Sequence, residues 1–130
     1  MSSALPHVPI LLQIALGGAI GAAARHLLGL AVLRVTGPGF PLGMLTVNVA
    51  GSFAMGVAAV LLAQRGASWA PFAMTGVLGG FTTFSAFSLE AVSLLEKGLL
   101  GQAAAYVTLS VGASMGALFL GLLLARGIVA

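Results

Sequence analysis

Residues 75–90 hold the densest set of groups able to handle an ion: Thr75-Gly76-Val77-Leu78-Gly79-Gly80-Phe81-Thr82-Thr83-Phe84-Ser85-Ala86-Phe87-Ser88-Leu89-Glu90. A glycine pair, Gly79-Gly80, followed by four hydroxyl residues and a carboxylate, interrupts an otherwise apolar run. In hydrocarbon such groups must be satisfied inside the protein, so this face is expected to meet protein or water. Gly79-Gly80, followed by Thr82 and Thr83 whose hydroxyls can bond the backbone, predicts a helix broken near its middle. A break exposes carbonyl oxygens that can coordinate a cation. The competing reading is a continuous helix whose glycines serve packing.

Phe84 and Phe87 lie three apart, on one helical face once the helix has restarted. An aromatic ring is electropositive at its edge, so two rings presented edge-on can solvate a small anion without a formal charge that would trap it. Phenylalanines at this spacing in a membrane more commonly face lipid or pack. Asn48, within Gly43-Met44-Leu45-Thr46-Val47-Asn48-Val49-Ala50-Gly51-Ser52, offers two N–H donors, suited either to an anion or to a carbonyl on a neighbouring helix. Tyr106, Ser110 and Ser114 are spaced four and four, which sets their hydroxyls in one stripe. The stripe is a polar track, unless each hydroxyl bonds its own backbone.

Other chemistry has little material. Cysteine is absent, which excludes disulfides, thiolate catalysis and cysteine metal sites. His7 and His26 are far apart and no Asp occurs, so neither a metal cluster nor a Ser-His-Asp arrangement can be assembled. Arg25 is costly at mid-membrane but can snorkel to an interface, where it would also bias a vestibule toward anions.

The elements that must position these groups are membrane helices. Of the 130 residues 60% are hydrophobic and 5% charged, against about 25% charged in a soluble domain. Apolar windows of about 20 residues run over about 10–33, 44–63, 69–95 and 99–125. Gly37-Pro38-Gly39-Phe40-Pro41, Arg65-Gly66-Ala67-Ser68 and Glu96-Lys97-Gly98 separate them as turns. The expectation is a single all-α membrane domain over 1–130, its four spans placing both termini on one side. The run ending at Gly21-Ala22-Ala23-Ala24 superficially resembles a cleavable signal, but no Lys or Arg precedes it, so an uncleaved helix is expected. The net charge of +3 comes from scattered cations rather than a basic patch, which argues against nucleic acid as a partner.

Orientation is open on charge alone. Arg65 and Arg126 fall on the side of the termini, Arg34 and Lys97 on the other, so the bias that normally fixes topology is balanced. Such a chain can insert both ways up and pair as an antiparallel homodimer, or another feature can fix one orientation. Within the apolar windows three glycine pairs sit four apart: Gly17 with Gly21, Gly76 with Gly80, and Gly112 with Gly116. Helix packing is the expected use of the first and last.

With these motifs in order, the chain resembles the small fluoride channels of the Fluc or CrcB family. Gly17-Gly18-Ala19-Ile20-Gly21-Ala22-Ala23-Ala24-Arg25 is similar to its first-span motif, Gly43–Phe53 to its second and Gly76–Glu90 to its third. The resemblance implies an antiparallel dual-topology homodimer in the cell membrane, with two fluoride pathways and one sodium ion at the dyad. By position, the sodium ligands would be the carbonyls of Gly79 and Thr82. Phe84 and Phe87 would be the aromatic anion sites, with Asn48 donating beside them and Thr83 contributing to the pathway. Tyr106, Ser110 and Ser114 would form the polar track, Glu90 would lie near one pore end, and Arg25 would belong to a vestibule. Family members commonly carry Thr where Met44 stands here. The rival reading, a small dual-topology multidrug exporter, calls for a carboxylate in the first span, and none lies between Ile10 and Leu33.

Overall fold

The structure, a computed structural model, describes residues 7–130, with side chains from Pro9 onward. Residues 1–6, and the side chains of His7 and Val8, lie outside the described residues. Among those described every regular element is helical. Helix α1 spans His7–Thr36 and α2 spans Leu42–Ala58, running on through wide π-helical turns at Ala59–Ala63. The third span is built in pieces. Its first half, α3, consists of π-helical turns at Pro71–Leu78 that pass into Gly79–Phe81, and its second half, α4, covers Ser85–Glu96. Helix α5 spans Leu100–Val129. Four stretches are long and apolar enough to cross a bilayer: Pro9–Thr36, Leu42–Ala63, Pro71–Glu96 and Leu100–Val129. Because 1.5 Å of rise per residue must cover about 30 Å of hydrocarbon, length and composition alone dictate these elements. The turns between them use Gly37, Gly66 and Gly98 at φ 76, 68 and 77, a left-handed conformation that side chains disfavour.

Glycine also sets the distances between helices. Helix α1 lies against α3 with Gly17 facing Gly76 and Val77, Gly21 facing Val77 and Phe81, and Gly18 facing Gly80. A β-carbon on Gly76 would sit 2.9 Å from Gly17 Cα, and one on Gly80 would sit 2.7 Å from Gly18 O. Without a hydrophobic force between helices in lipid, this close approach is what holds the pair by dispersion. Gly56 and Gly121 do the same for α2 and α5, a pairing that lies too far apart in sequence to stand out as a motif. Gly112 and Gly116, for which helix packing is expected, meet no other part of this chain. Nothing in the chain lies within 4 Å of a β-carbon at either, and both are exposed on α5.

A small core forms where α4 meets α5: Phe87, Ala91, Leu94, Ala103 and Tyr106 are buried together, with Phe40, Met44 and Leu45 packed against them. This core anchors one end of the residues gathered below.

Candidate functional site

The helix does leave its path in the third span, but at Thr82, two residues past Gly80. Gly79 has φ −64 and ψ −36, and the helix carries on to Phe81 before Thr82 turns extended at φ −90 and ψ 154. Gly80 is used for contact with α1, and the interruption is made by Asn48. Asn48 Nδ2 donates to Thr83 O at 3.3 Å, and Thr83 N–H donates back to Asn48 Oδ1 at 3.1 Å. A continuing helix would give that N–H to Gly79 O. The side chain of α2 has replaced a rung of the helical ladder.

The chain restarts as a capped helix. Thr83 Oγ1 accepts the Ala86 N–H at 3.3 Å and lies 3.1 Å from Ser85 Oγ, the role of an N-cap hydroxyl. In a continuous helix the Ala86 N–H would have gone to Thr82 O. Thus Gly79 O and Thr82 O both lose the donors regular structure would bring. Other groups near the break are spoken for: Arg25 Nε donates to Gly80 O at 3.2 Å, and Thr82 Oγ1 donates to Leu78 O at 3.0 Å. Ser88 Oγ likewise bonds Phe84 O at 2.9 Å. Arg25 therefore does not merely snorkel; it ties α1 to the third span.

Around the break opens a cleft of about 330 Å³, lined by residues that include Asn48, Thr82, Thr83, Phe84, Phe87, Ser110 and Ser114. Ser52, Val111 and Met115 complete it. The oxygens of Tyr106, Ser110 and Ser114 are buried without a hydrogen-bond partner, so these hydroxyls do not bond their own backbone. Unpaired buried hydroxyls are rare and costly, and three along one helix stripe leave donors able to take a polar guest. Asn48 has used one N–H on Thr83 and keeps the other beside the cleft.

The two phenylalanines differ in setting. Their ring centroids are 5.5 Å apart at 47°, yet Phe87 is 8% exposed and Phe84 76% exposed in the single chain. Phe87 rests on Tyr106 at 5.2 Å, and Tyr106 meets Phe40 edge to face at 5.7 Å and 86°. Four rings thus run in series from Phe84 to Phe40, of which the sequence pointed to three.

Glu90 is not in this cleft. It lines a second cavity of about 450 Å³, together with Arg25, His26, Thr36, Phe40 and Met44 among others. Gln13 is a functional-looking amide that sequence reading passed over. Its Oε1 accepts the Phe72 N–H at 3.2 Å and its Nε2 reaches Ser68 O at 3.4 Å, fastening α1 to the start of the third span. A lone amide in an apolar window was the available signal, as it was for Asn48.

Residues 12–122 match the family described as CrcB-like protein, Camphor Resistance (CrcB). A protein named Fluoride-specific ion channel FluC from Cereibacter sphaeroides is 60% identical over 117 residues, covering 90% of this chain and 94% of that protein. Relatives of the same name from a Ruegeria species and from Paracoccus denitrificans are 60% and 53% identical over 120 residues each, covering 91% and 92% of this chain and 95% and 96% of theirs. With a family match across nearly all four spans and relatives this similar end to end, the chain belongs to the CrcB family.

Proposed function

We propose that this chain is the subunit of a fluoride-selective channel that lets fluoride leave the cell passively down its electrochemical gradient, protecting the cell from fluoride. The observation that carries the reading is the cleft in which Asn48, Phe84, Phe87, Ser110 and Ser114 converge, with buried hydroxyls lacking partners. The relatives' printed name supports the choice of ion.

Fluoride is small, strongly hydrated and a strong hydrogen-bond acceptor. Removing its water is tolerable only where donors stand ready, and here these are the Tyr106, Ser110 and Ser114 hydroxyls and the free Asn48 N–H. The edges of Phe84 and Phe87 add positive potential without a fixed charge, so the ion is stabilised but can still leave. Thr83 shapes the cleft through its cap and through Asn48. Arg25 and Glu90 belong to the second cavity, which fits a vestibule at one pore end. Passage down a gradient requires no energy source and no chemical step, so the protein is a channel in the cell membrane and not an enzyme.

The working unit is an antiparallel homodimer with dual topology and two pathways. Support comes from the balanced charges of Arg34 and Lys97 against Arg65 and Arg126, from the exposure of Phe84 although it lines the cleft, and from the open α5 face carrying Gly112, Met115 and Gly116. Sodium at the dyad fits the donor set. Gly79 O and Thr82 O, deprived of their helical donors by Asn48 and Thr83, would hold the ion, which supplies a buried positive charge binding the two copies together. Lipid surrounds the remainder.

Dilution-triggered ion efflux from liposomes tests the reading. Fluoride efflux without chloride efflux or proton coupling is expected. Proton-coupled export of organic cations would favour the multidrug exporter, and no flux would leave a non-transporting subunit.

A further inference from the structure

The first cleft and the second cavity share no lining residue, yet one side chain touches the walls of both. Tyr106 is fully buried, stacks on Phe87 of the cleft at 5.2 Å and meets Phe40 of the second cavity at 5.7 Å. Met44, also lining the second cavity, packs against the same core. Between the polar groups of one chamber, Arg25, His26 and Glu90, and those of the other, Ser110, Ser114 and Asn48, stands an apolar layer of Phe40, Met44, Tyr106 and Phe87. We infer that Phe40 and Met44 form a constriction of the conduction pathway, the point at which an ion leaving the Phe84–Phe87 pair enters the vestibule.

Phe40 is the member of this layer that no helix carries. It sits in the connection between α1 and α2, just before Pro41, where Leu42 N–H bonds the Phe40 carbonyl at 2.8 Å. Its ring is half-buried, with one side on Tyr106 and the other on the cavity. An ion can pass only if these side chains give way or present their edges to it, since apolar constrictions resist a hydrated ion. The layer therefore governs rate and, by its width, the discrimination against chloride. The inference rests on the fluoride reading and adds a route to it.

The absence of cysteine gives a direct test. Phe40→Cys is purified, checked as a monodisperse dimer, labelled in detergent with a bulky methanethiosulfonate and reconstituted beside its unlabelled portion. Val35→Cys, 86% exposed and outside both cavities, serves as the control. Labelling at position 40 is expected to cut fluoride efflux about tenfold or more, as an added barrier of about 1.4 kcal/mol would, while labelled Val35→Cys conducts as before. Should Phe40→Cys fail to assemble, Met44→Cys carries the same expectation. Quantitatively labelled protein that conducts normally, or a cysteine at 40 that never reacts, overturns the constriction. If the unmodified parent passes no fluoride, it is the channel reading that fails instead.

Discussion

Asn48 and Thr83, 35 residues apart in sequence, hold each other through a closed pair of hydrogen bonds, the amide of α2 giving and taking one bond with the same backbone unit. One interaction interrupts the third span, frees the Gly79 carbonyl and brings an amide N–H to the cleft.

Asn48→Ala should therefore damage structure and transport together. It leaves a part-buried N–H and carbonyl of Thr83 unpaired, at about 1–3 kcal/mol for each unsatisfied group. The melting temperature of the purified protein should fall and fluoride efflux should drop at least about tenfold. Asn48→Asp keeps the acceptor but removes both donors and adds a negative charge, so it should conduct no better. Wild-type melting and flux in Asn48→Ala would show that the pair does not hold the break.

The same pair marks the limit of what the sequence conveys. The four spans are legible because bilayer thickness sets the length of an apolar window, and Asn48, Tyr106, Ser110 and Ser114 are legible because polar groups stand out in such windows. The location of the break is not. Gly79-Gly80 permits a break but does not cause one, whereas the cause is a contact from another helix that no local pattern carries. Gly17, Gly21, Gly76 and Gly80 share a motif with Gly112 and Gly116, yet only tertiary structure tells which pairs meet a neighbour within the chain. Phe40 belongs to a loop, where an aromatic carries no periodic signal.

Close packing of α1 on α3 predicts a contrast among glycines. Gly76→Ala places a methyl 2.9 Å from Gly17 Cα, with backbone on both sides and no flexible side chain to yield, so the helices must separate. The cost should resemble overpacking, about 1–3 kcal/mol or more. Gly101→Ala in α5 meets nothing within 4 Å and should be neutral or stabilising by up to about 1 kcal/mol. Thermal unfolding of the two variants in detergent checks the difference, and equal melting temperatures would argue against a glycine-set interface.

Dual topology predicts that single cysteines replacing Arg34 and Arg65, on opposite sides of the membrane, are both labelled from the cytoplasmic side, each in part of the population. Labelling of one position alone would contradict the antiparallel dimer.

A structural sodium ion predicts cation-specific stability. A ligand bound only by the folded dimer raises stability as its concentration exceeds its dissociation constant. Melting of the purified protein, dialysed into choline salt and then titrated with sodium at constant ionic strength, should shift upward with sodium and less with potassium. A flat response would leave the Gly79 and Thr82 carbonyls without their proposed guest.

Stabilisation of fluoride by ring edges is tested most directly by the fluoride efflux of Phe84→Ile beside wild type, measured with a fluoride electrode on liposomes carrying equal amounts of monodisperse protein. Phe84 is the better of the two rings to replace, because Phe87 is buried against Tyr106 and its loss would also disturb the core. Phe87→Ile should lower both stability and flux, whereas a packing role for Phe84 allows an apolar swap at under about 1.5 kcal/mol of stability with transport intact. Ile has no quadrupole, and a loss of about 1.4 kcal/mol at the limiting barrier slows flux about tenfold. The expected result is a folded, monodisperse Phe84→Ile protein with fluoride efflux reduced about tenfold or more, and a milder loss in Phe84→Met, whose sulfur is polarizable. Wild-type efflux through Phe84→Ile would remove the ring from the pathway and return it to packing.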